Sequence, residues 1–111
     1  MITVDKPALE DGPYILPVSD DDIDRAARSL KALSHPLRLK ILCILGDQAI
    51  SVQDIVEAVG TSQSNISQHL AIMRDKEILM TERKANKVFY YVRDEGTLRL
   101  IGVMREVFCT K

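Results

Sequence analysis

The sequence predicts a mainly α domain with one small β-hairpin, in the order ααααββα: a winged helix-turn-helix. Three observations predict it. Two short amphipathic helices flank a tight Gly60-Thr61-Ser62 turn, the spacing that sets a second helix across a first. Two strand-like runs, Ile78–Lys84 and Lys87–Val92, then meet at Ala85-Asn86, and the second, VFYYV, is rich in β-branched and aromatic residues. A last helix with apolar periodicity follows the hairpin.

Residues 1–19 contain Pro7, Gly12, Pro13 and Pro17 and read as a flexible, irregular N-terminal arm, with one domain over 20–111. Ser19 is a suitable N-cap, and Asp20–Asp22 suit the positive end of a helix dipole. The first helix is expected over Asp20–Ala32, with Ile23, Ala26, Ala27 and Leu30 on one face. His35-Pro36 interrupts it, because the residue before proline avoids the helical region. Pro36 then opens a second helix, Pro36–Leu45, closed by Gly46. Ser51 caps a third, Val52–Val59, which turns Ile55, Val56 and Val59 inward and ends at Gly60. The fourth lies in Thr61–Lys76, where Ile66, Leu70, Ile72 and Met73 form an apolar stripe. In the hairpin, Asn86 is the residue expected to take the left-handed conformation. The last helix, Asp94–Cys109, has Leu98, Ile101, Val103, Met104, Val107 and Phe108 as its apolar residues.

A chain of 111 residues bounds this to one domain with a small core, which dimerisation would enlarge. No run of about 18 apolar residues exists to span a membrane. The opening MITVDKPALEDG lacks the basic and apolar regions of a secretory signal, so the cytoplasm is the expected compartment. The two cysteines are then expected as thiols. The net charge of −1 conceals an asymmetry. Residues 1–24 hold seven acidic groups against one basic, a balance of −6, and the remaining 14 basic and 9 acidic groups give +5. A mildly basic body suits phosphate contact.

The fourth helix is the most informative segment. Ser62, Gln63, Ser64, Asn65, Ser67, Gln68 and His69 crowd its first two turns with short donors and acceptors, as a reader of base edges in a major groove requires. Gln63, Ser64, Asn65 and Gln68 are expected to face the groove. Ser62 and Ser64, near the helix N-terminus, also suit phosphate. His69 is expected as a packing or phosphate contact rather than a metal ligand, and Arg74 completes the helix's candidate set. Arg83, Lys84 and Lys87 ring the hairpin tip, where they would grip backbone or minor groove. The expected partner is therefore double-stranded DNA.

The segments LKALSHPLRLKILCIL, VQDIVEAVGTSQSNISQHLAIMRDKEIL and RKANKVFYYV together resemble the ArsR/SmtB family of bacterial repressors over about residues 25–109. The resemblance implies a homodimer built on the first and last helices. It also implies a repressor that leaves its operator when an inducer binds. A two-fold dimer would read an inverted repeat with half-sites about 34 Å apart. The family's usual inducers are metal ions. A site in the third helix would need cysteines, where this chain has Ser51-Val52-Gln53-Asp54. A zinc site in the last helix would need histidine, and that helix offers Asp94, Glu95 and Glu106 but no histidine. No metal or other cofactor is expected at either place.

The only cysteines are Cys43, within ILCIL of the second helix, and Cys109, after Phe108. In the expected fold the end of the last helix can pack near the second. This arrangement resembles the redox- and sulfur-sensing branch of the family, the BigR-, SqrR-, YgaV- and HlyU-like repressors, with one cysteine in each of these helices. By that resemblance Cys43 and Cys109 are the sensing dithiol. A persulfide, polysulfide or oxidant would link them and lower DNA affinity. The apolar setting of Cys43 is expected to raise its pKa, leaving Cys109 as the better first attacker.

Other readings stay open at this level. A thiolate pair also suits a soft ion such as arsenite or Cu(I), and a pure protein-interaction role would keep the fold without the DNA. An enzyme is not expected: the chain has no phosphate loop, zincin motif or nucleophile elbow.

Overall fold

The computed structural model describes residues 18–109. The arm expected over residues 1–19 therefore lies outside the described residues, except for Val18 and Ser19. Helix α1 (Asp20–Leu33) starts where the acidic run predicts. The Ser19 hydroxyl accepts the Asp22 amide at 3.0 Å, and three aspartates occupy the first turn, where the helix dipole favours them. Helix α2 (Pro36–Leu45) has proline in its first turn, and His35 is its N-cap: Nδ1 accepts the Leu37 amide at 3.1 Å.

Strand β1 (Ile50–Ser51), helix α3 (Val52–Val59) and helix α4 (Gln63–Asp75) follow. Gly60 closes α3 at φ 85°, a left-handed conformation that glycine adopts without strain. Two residues later Ser62 caps α4, its hydroxyl accepting the Asn65 amide at 3.2 Å. At the far end of α4 the Ile78 amide donates to the Met73 carbonyl and the Glu77 amide to that of Arg74, each at 2.9 Å, with Glu77 left-handed at φ 62°. This pair of bonds is a Schellman closure. It uses the Ile78 amide, so strand β2 spans Leu79–Lys84 rather than beginning at Ile78. Strand β3 (Lys87–Val92) and helix α5 (Glu95–Phe108) complete the domain, with Asp94 capping α5 from outside through the Thr97 amide at 2.7 Å.

Two sequence expectations are corrected here. The sheet has three strands in the order β1-β3-β2, all antiparallel, with Ile50 opposite Tyr90 and Ser51 opposite Phe89. A two-residue strand has no periodicity of its own; it exists because the α3 N-cap lands beside β3. At the hairpin tip, Ala85 rather than Asn86 carries the positive φ, at 57°. One positive φ at the first central position is the pattern of a type II′ turn, a position dominated by glycine. Ala85→Gly is accordingly expected to stabilise the domain by about 0.5–1 kcal/mol, the left-handed cost relieved less the extra entropy of glycine. A thermal melt checks it, and an unchanged or lower midpoint would contradict the strain.

One core joins every layer. Ile41, Leu42 and Leu45 of α2 meet Ile55 and Val59 of α3, then Ile66, Leu70 and Met73 of α4, with Leu79, Val92 and Ile101 closing the far side. Of α1, only Ala32 and Leu33 are buried. Its Ile23 and Leu30 are about half exposed, at 54% and 52%. Helix α5 is apolar on two sides: Ile101 and Met104 pack inward, while Val103, Val107 and Phe108 stand exposed. Among the described residues, no helix is long and apolar enough to cross a membrane.

Candidate nucleic-acid interface and thiol pair

Helix α4 buries Ile66, Leu70 and Met73 and so turns its opposite side outward. Gln63, Ser64, Ser67, Gln68 and Arg74 are exposed there. At 1.5 Å per residue the helix is about 20 Å long, a suitable length for a major groove. Gln63 and Ser67 lie toward the hairpin and share a shallow groove with Gln53 of α3 and with Asn86 and Lys87 of the tip. Gln53 and Asn86 had no sequence signal marking them; only the packing of α3 and the hairpin beside α4 brings them to this groove.

The hairpin tip is basic and exposed. In the register, Lys84 lies directly opposite Lys87, and Arg83 opposite Val88. Like charges placed across a strand pair repel. An anion between the two lysines would offset that repulsion, so the arrangement suits a phosphate.

The other flank of α4 differs from the sequence expectation. Asn65 is half-buried, and its amide donates to Thr61 Oγ1 at 3.3 Å, closing the turn between α3 and α4. The Ser62 hydroxyl is occupied by its cap and lies 3.4 Å from that of Ser64. His69 is half-buried too, facing α2 rather than the outer side. Its Nδ1 accepts from Arg38 Nε at 3.1 Å, and its ring centroid lies 4.4 Å from that of His35. The reason is helical phase: positions 65 and 69, one turn apart, fall on a side between the core stripe of 66, 70 and 73 and the outer positions 64 and 68. Arg38, within the SHPLR segment, is the residue that sequence reasoning missed here.

The cysteines stand apart from this surface. Cys43 is half-buried on α2, packed against the core, and Cys109 is exposed at the α5 C-cap. Both are free thiols. Burial raises the Cys43 pKa; the Arg105 guanidinium opposes that, and a charge on Cys109 adds to it. Cys109 follows the last turn of α5, the helix that packs against α2, which carries Cys43. A cleft between α2 and α5 opens beside Cys43, lined by Gly46, Asp47, Leu98, Gly102 and Arg105 among others. Among the described residues, no group of three or more His, Cys, Asp or Glu side chains is placed to hold a metal ion.

Comparison with known proteins gives a consistent picture. Residues 35–80 match the family described as "Bacterial regulatory protein, arsR family". The HTH-type transcriptional regulator YgaV of Escherichia coli K12 is 39% identical over 87 residues, 78% of this chain and 88% of that protein. The biofilm growth-associated repressor of Agrobacterium fabrum is 32% identical over 106 residues, 96% of this chain and 90% of that protein. Among solved structures, HlyU from Vibrio cholerae superposes with a TM-score of 0.79 at 32% identity, covering 83% of this chain and all of that one. A structure of that protein described as reduced superposes with a TM-score of 0.77, covering 82% and 96%.

Proposed function

The chain belongs to the arsR family of bacterial regulatory proteins, which are DNA-binding transcriptional regulators and not enzymes, and on that footing we propose that it is a cytoplasmic, homodimeric repressor released from its operator when Cys43 and Cys109 are linked by reactive sulfur. The observation that carries this reading is that the two free cysteines stand on two helices that pack together, Cys43 beside the cleft between α2 and α5 and Cys109 at the C-cap of α5. A covalent link between them constrains α5 against α2. Both helices contribute to the core on which α4 rests, so the constraint reaches the DNA-reading surface through packing.

The exposed apolar stripes of α1 and α5 support the dimer, because contiguous exposed apolar surface marks an interaction site. Two-fold symmetry then pairs two α4 helices with the half-sites of an inverted repeat.

The chemistry follows from accessibility. The exposed Cys109 attacks first, as thiolate, on the outer sulfur of a low-molecular-weight persulfide RSSH. It becomes a protein persulfide and releases RS⁻. The Cys43 thiolate then attacks the inner sulfur of that persulfide, forming a Cys43–Cys109 disulfide and expelling HS⁻. The two thiols are oxidised and the sulfane sulfur leaves reduced, so no further oxidant is required. If both cysteines are first persulfidated, the same attack leaves one extra sulfur in the bridge, again with loss of HS⁻.

The test uses a duplex selected by the reduced protein from randomised inverted repeats. Treatment with a persulfide donor is expected to release it, with intact-mass analysis showing an internal disulfide or trisulfide. The Cys43→Ser/Cys109→Ser double variant is expected to bind the duplex as the wild type does and to stay bound after treatment. Release from the double variant would sink the dithiol reading. Release of the reduced wild type by arsenite or Cu(I), with persulfide inert, would replace the inducer.

A further inference from the structure

We infer that Arg38, His35 and His69 form a proton-sensitive latch that positions the recognition helix α4 against the end of α1, so that operator affinity falls in mild acid. The geometry is a single side chain spanning three helices. Arg38, on α2, donates from Nη1 to the Ala32 carbonyl in the last turn of α1 at 2.9 Å and from Nε to Nδ1 of His69 on α4 at 3.1 Å. It thereby ties the helix proposed to hold the dimer to the helix proposed to read DNA.

The acceptor at the α4 end is what makes the latch titratable. A neutral histidine that accepts at Nδ1 carries its proton on Nε2. The next proton must go to Nδ1, the atom that takes the Arg38 hydrogen bond. Protonating His69 therefore removes the acceptor and sets an imidazolium against a guanidinium. His35, from the turn between α1 and α2, adds a second ring 4.4 Å away, and its own Nδ1 is committed to the Leu37 amide.

The remaining surroundings offer nothing to stabilise the added charge on balance. Arg38 faces His69 from α2, and His35 faces it from the α2 cap. From α1 the cluster receives the Ala32 carbonyl, already taken by Arg38, and the α4 residues a turn away, Asn65 and Met73, are uncharged. Among the described residues no carboxylate pairs with either histidine. Burial first, then the charges of His35 and Arg38, hold His69 below the ordinary histidine value, so the latch is closed at neutral pH.

The sign follows. A histidine whose pKa is lowered in the latched state binds fewer protons there than when released. The latch is fully favoured above the ordinary value near 6.5 and is lost as pH falls through the lowered one. The chain has only two histidines, both in this cluster. Histidine is the one side chain whose unperturbed pKa lies between pH 5 and 8.

This inference rests on DNA binding and not on the thiol switch. The measurement is the affinity of the reduced protein, and of its double Cys→Ser variant, for the selected duplex at constant ionic strength. Losing one charge-assisted hydrogen bond corresponds to an affinity about tenfold weaker at pH 5.5 than at pH 7.5, in both proteins. His69→Gln keeps an acceptor that does not titrate and is expected to flatten the profile. An affinity that is unchanged, or that rises toward pH 5.5 as a direct histidine–phosphate contact would make it, overturns the latch. If the variant fails to fold, histidine ring NMR of the wild type decides. His69 titrating below the ordinary histidine value supports the latch, and titration at or above it contradicts it.

Discussion

Truncating Leu70 to alanine is expected to destabilise the domain by about 3–4 kcal/mol, because the side chain is fully buried and a partly uncollapsed cavity adds to the lost transfer energy. Small domains hold only about 5–15 kcal/mol in total, so this removes a large share of the stability. Leu70 sits in the middle of the α4 stripe, between Ile66 and Met73, where α4 meets the core residues of α2 and α3. Its loss loosens the seat of the DNA-reading helix, and operator affinity is expected to fall together with the urea midpoint. Ala71→Ser, on the exposed side one residue away, serves as the control and is expected to change stability by less than about 0.5 kcal/mol. A Leu70→Ala protein that unfolds within about 1 kcal/mol of wild type would show that α4 does not depend on this core.

Val103→Asp is expected to separate the dimer. Val103 is 55% exposed on the outer side of α5, in line with Val107 one turn on, while Ile101 and Met104 hold the inner side. The substitution therefore leaves the monomer core untouched and places a carboxylate on the proposed interface. Two-fold symmetry brings a second copy of that charge to the same interface. Burying an unpaired charge costs several kcal/mol, so self-association is expected to weaken by at least about 100-fold. Sedimentation should report a folded monomer, and the affinity gained by engaging both half-sites at once should vanish with the dimer. A protein that remains dimeric with intact operator binding would place the interface elsewhere.

The elements were legible in the sequence because their signals are local. Ser19 and Ser51 are caps, Gly46 and Gly60 are stops, and the apolar spacing of α3 and α4 gives both helix type and inward side; the capping role of Ser62, read from the sequence as a DNA or phosphate contact, came from the structure. The boundary differences have local causes as well: Asp94 serves as a cap outside α5, and the Schellman bonds take Ile78 away from β2. The Ala85 conformation was not legible, because Asn86 is the residue with the stronger left-handed tolerance and only the hairpin twist selects a type II′ turn. The third strand was not legible either, since two residues carry no period.

Within the candidate site, residue type and position along α4 separated the polar residues from the core stripe but ranked Asn65 with Gln63, Ser64 and Gln68 and left His69 between a packing and a phosphate contact. What divides them is which neighbour each meets. Thr61 takes Asn65, and Arg38, 31 positions earlier in the chain, takes His69. The Asn65 bond is local, four residues back, but the Arg38–His69 bond joins residues so far apart that spacing carries no trace of it.

The sequence by itself therefore determined the helix order, the inward side of α3 and α4, the basic hairpin and the presence of two cysteines, because propensity, capping and periodicity act over a few residues. Only the tertiary structure decided which polar groups remain free at the surface, that a cleft between α2 and α5 opens beside Cys43, and that Arg38 joins α1 to α4. Each of these depends on contacts between segments distant in the chain, and such contacts exist only once the core has closed.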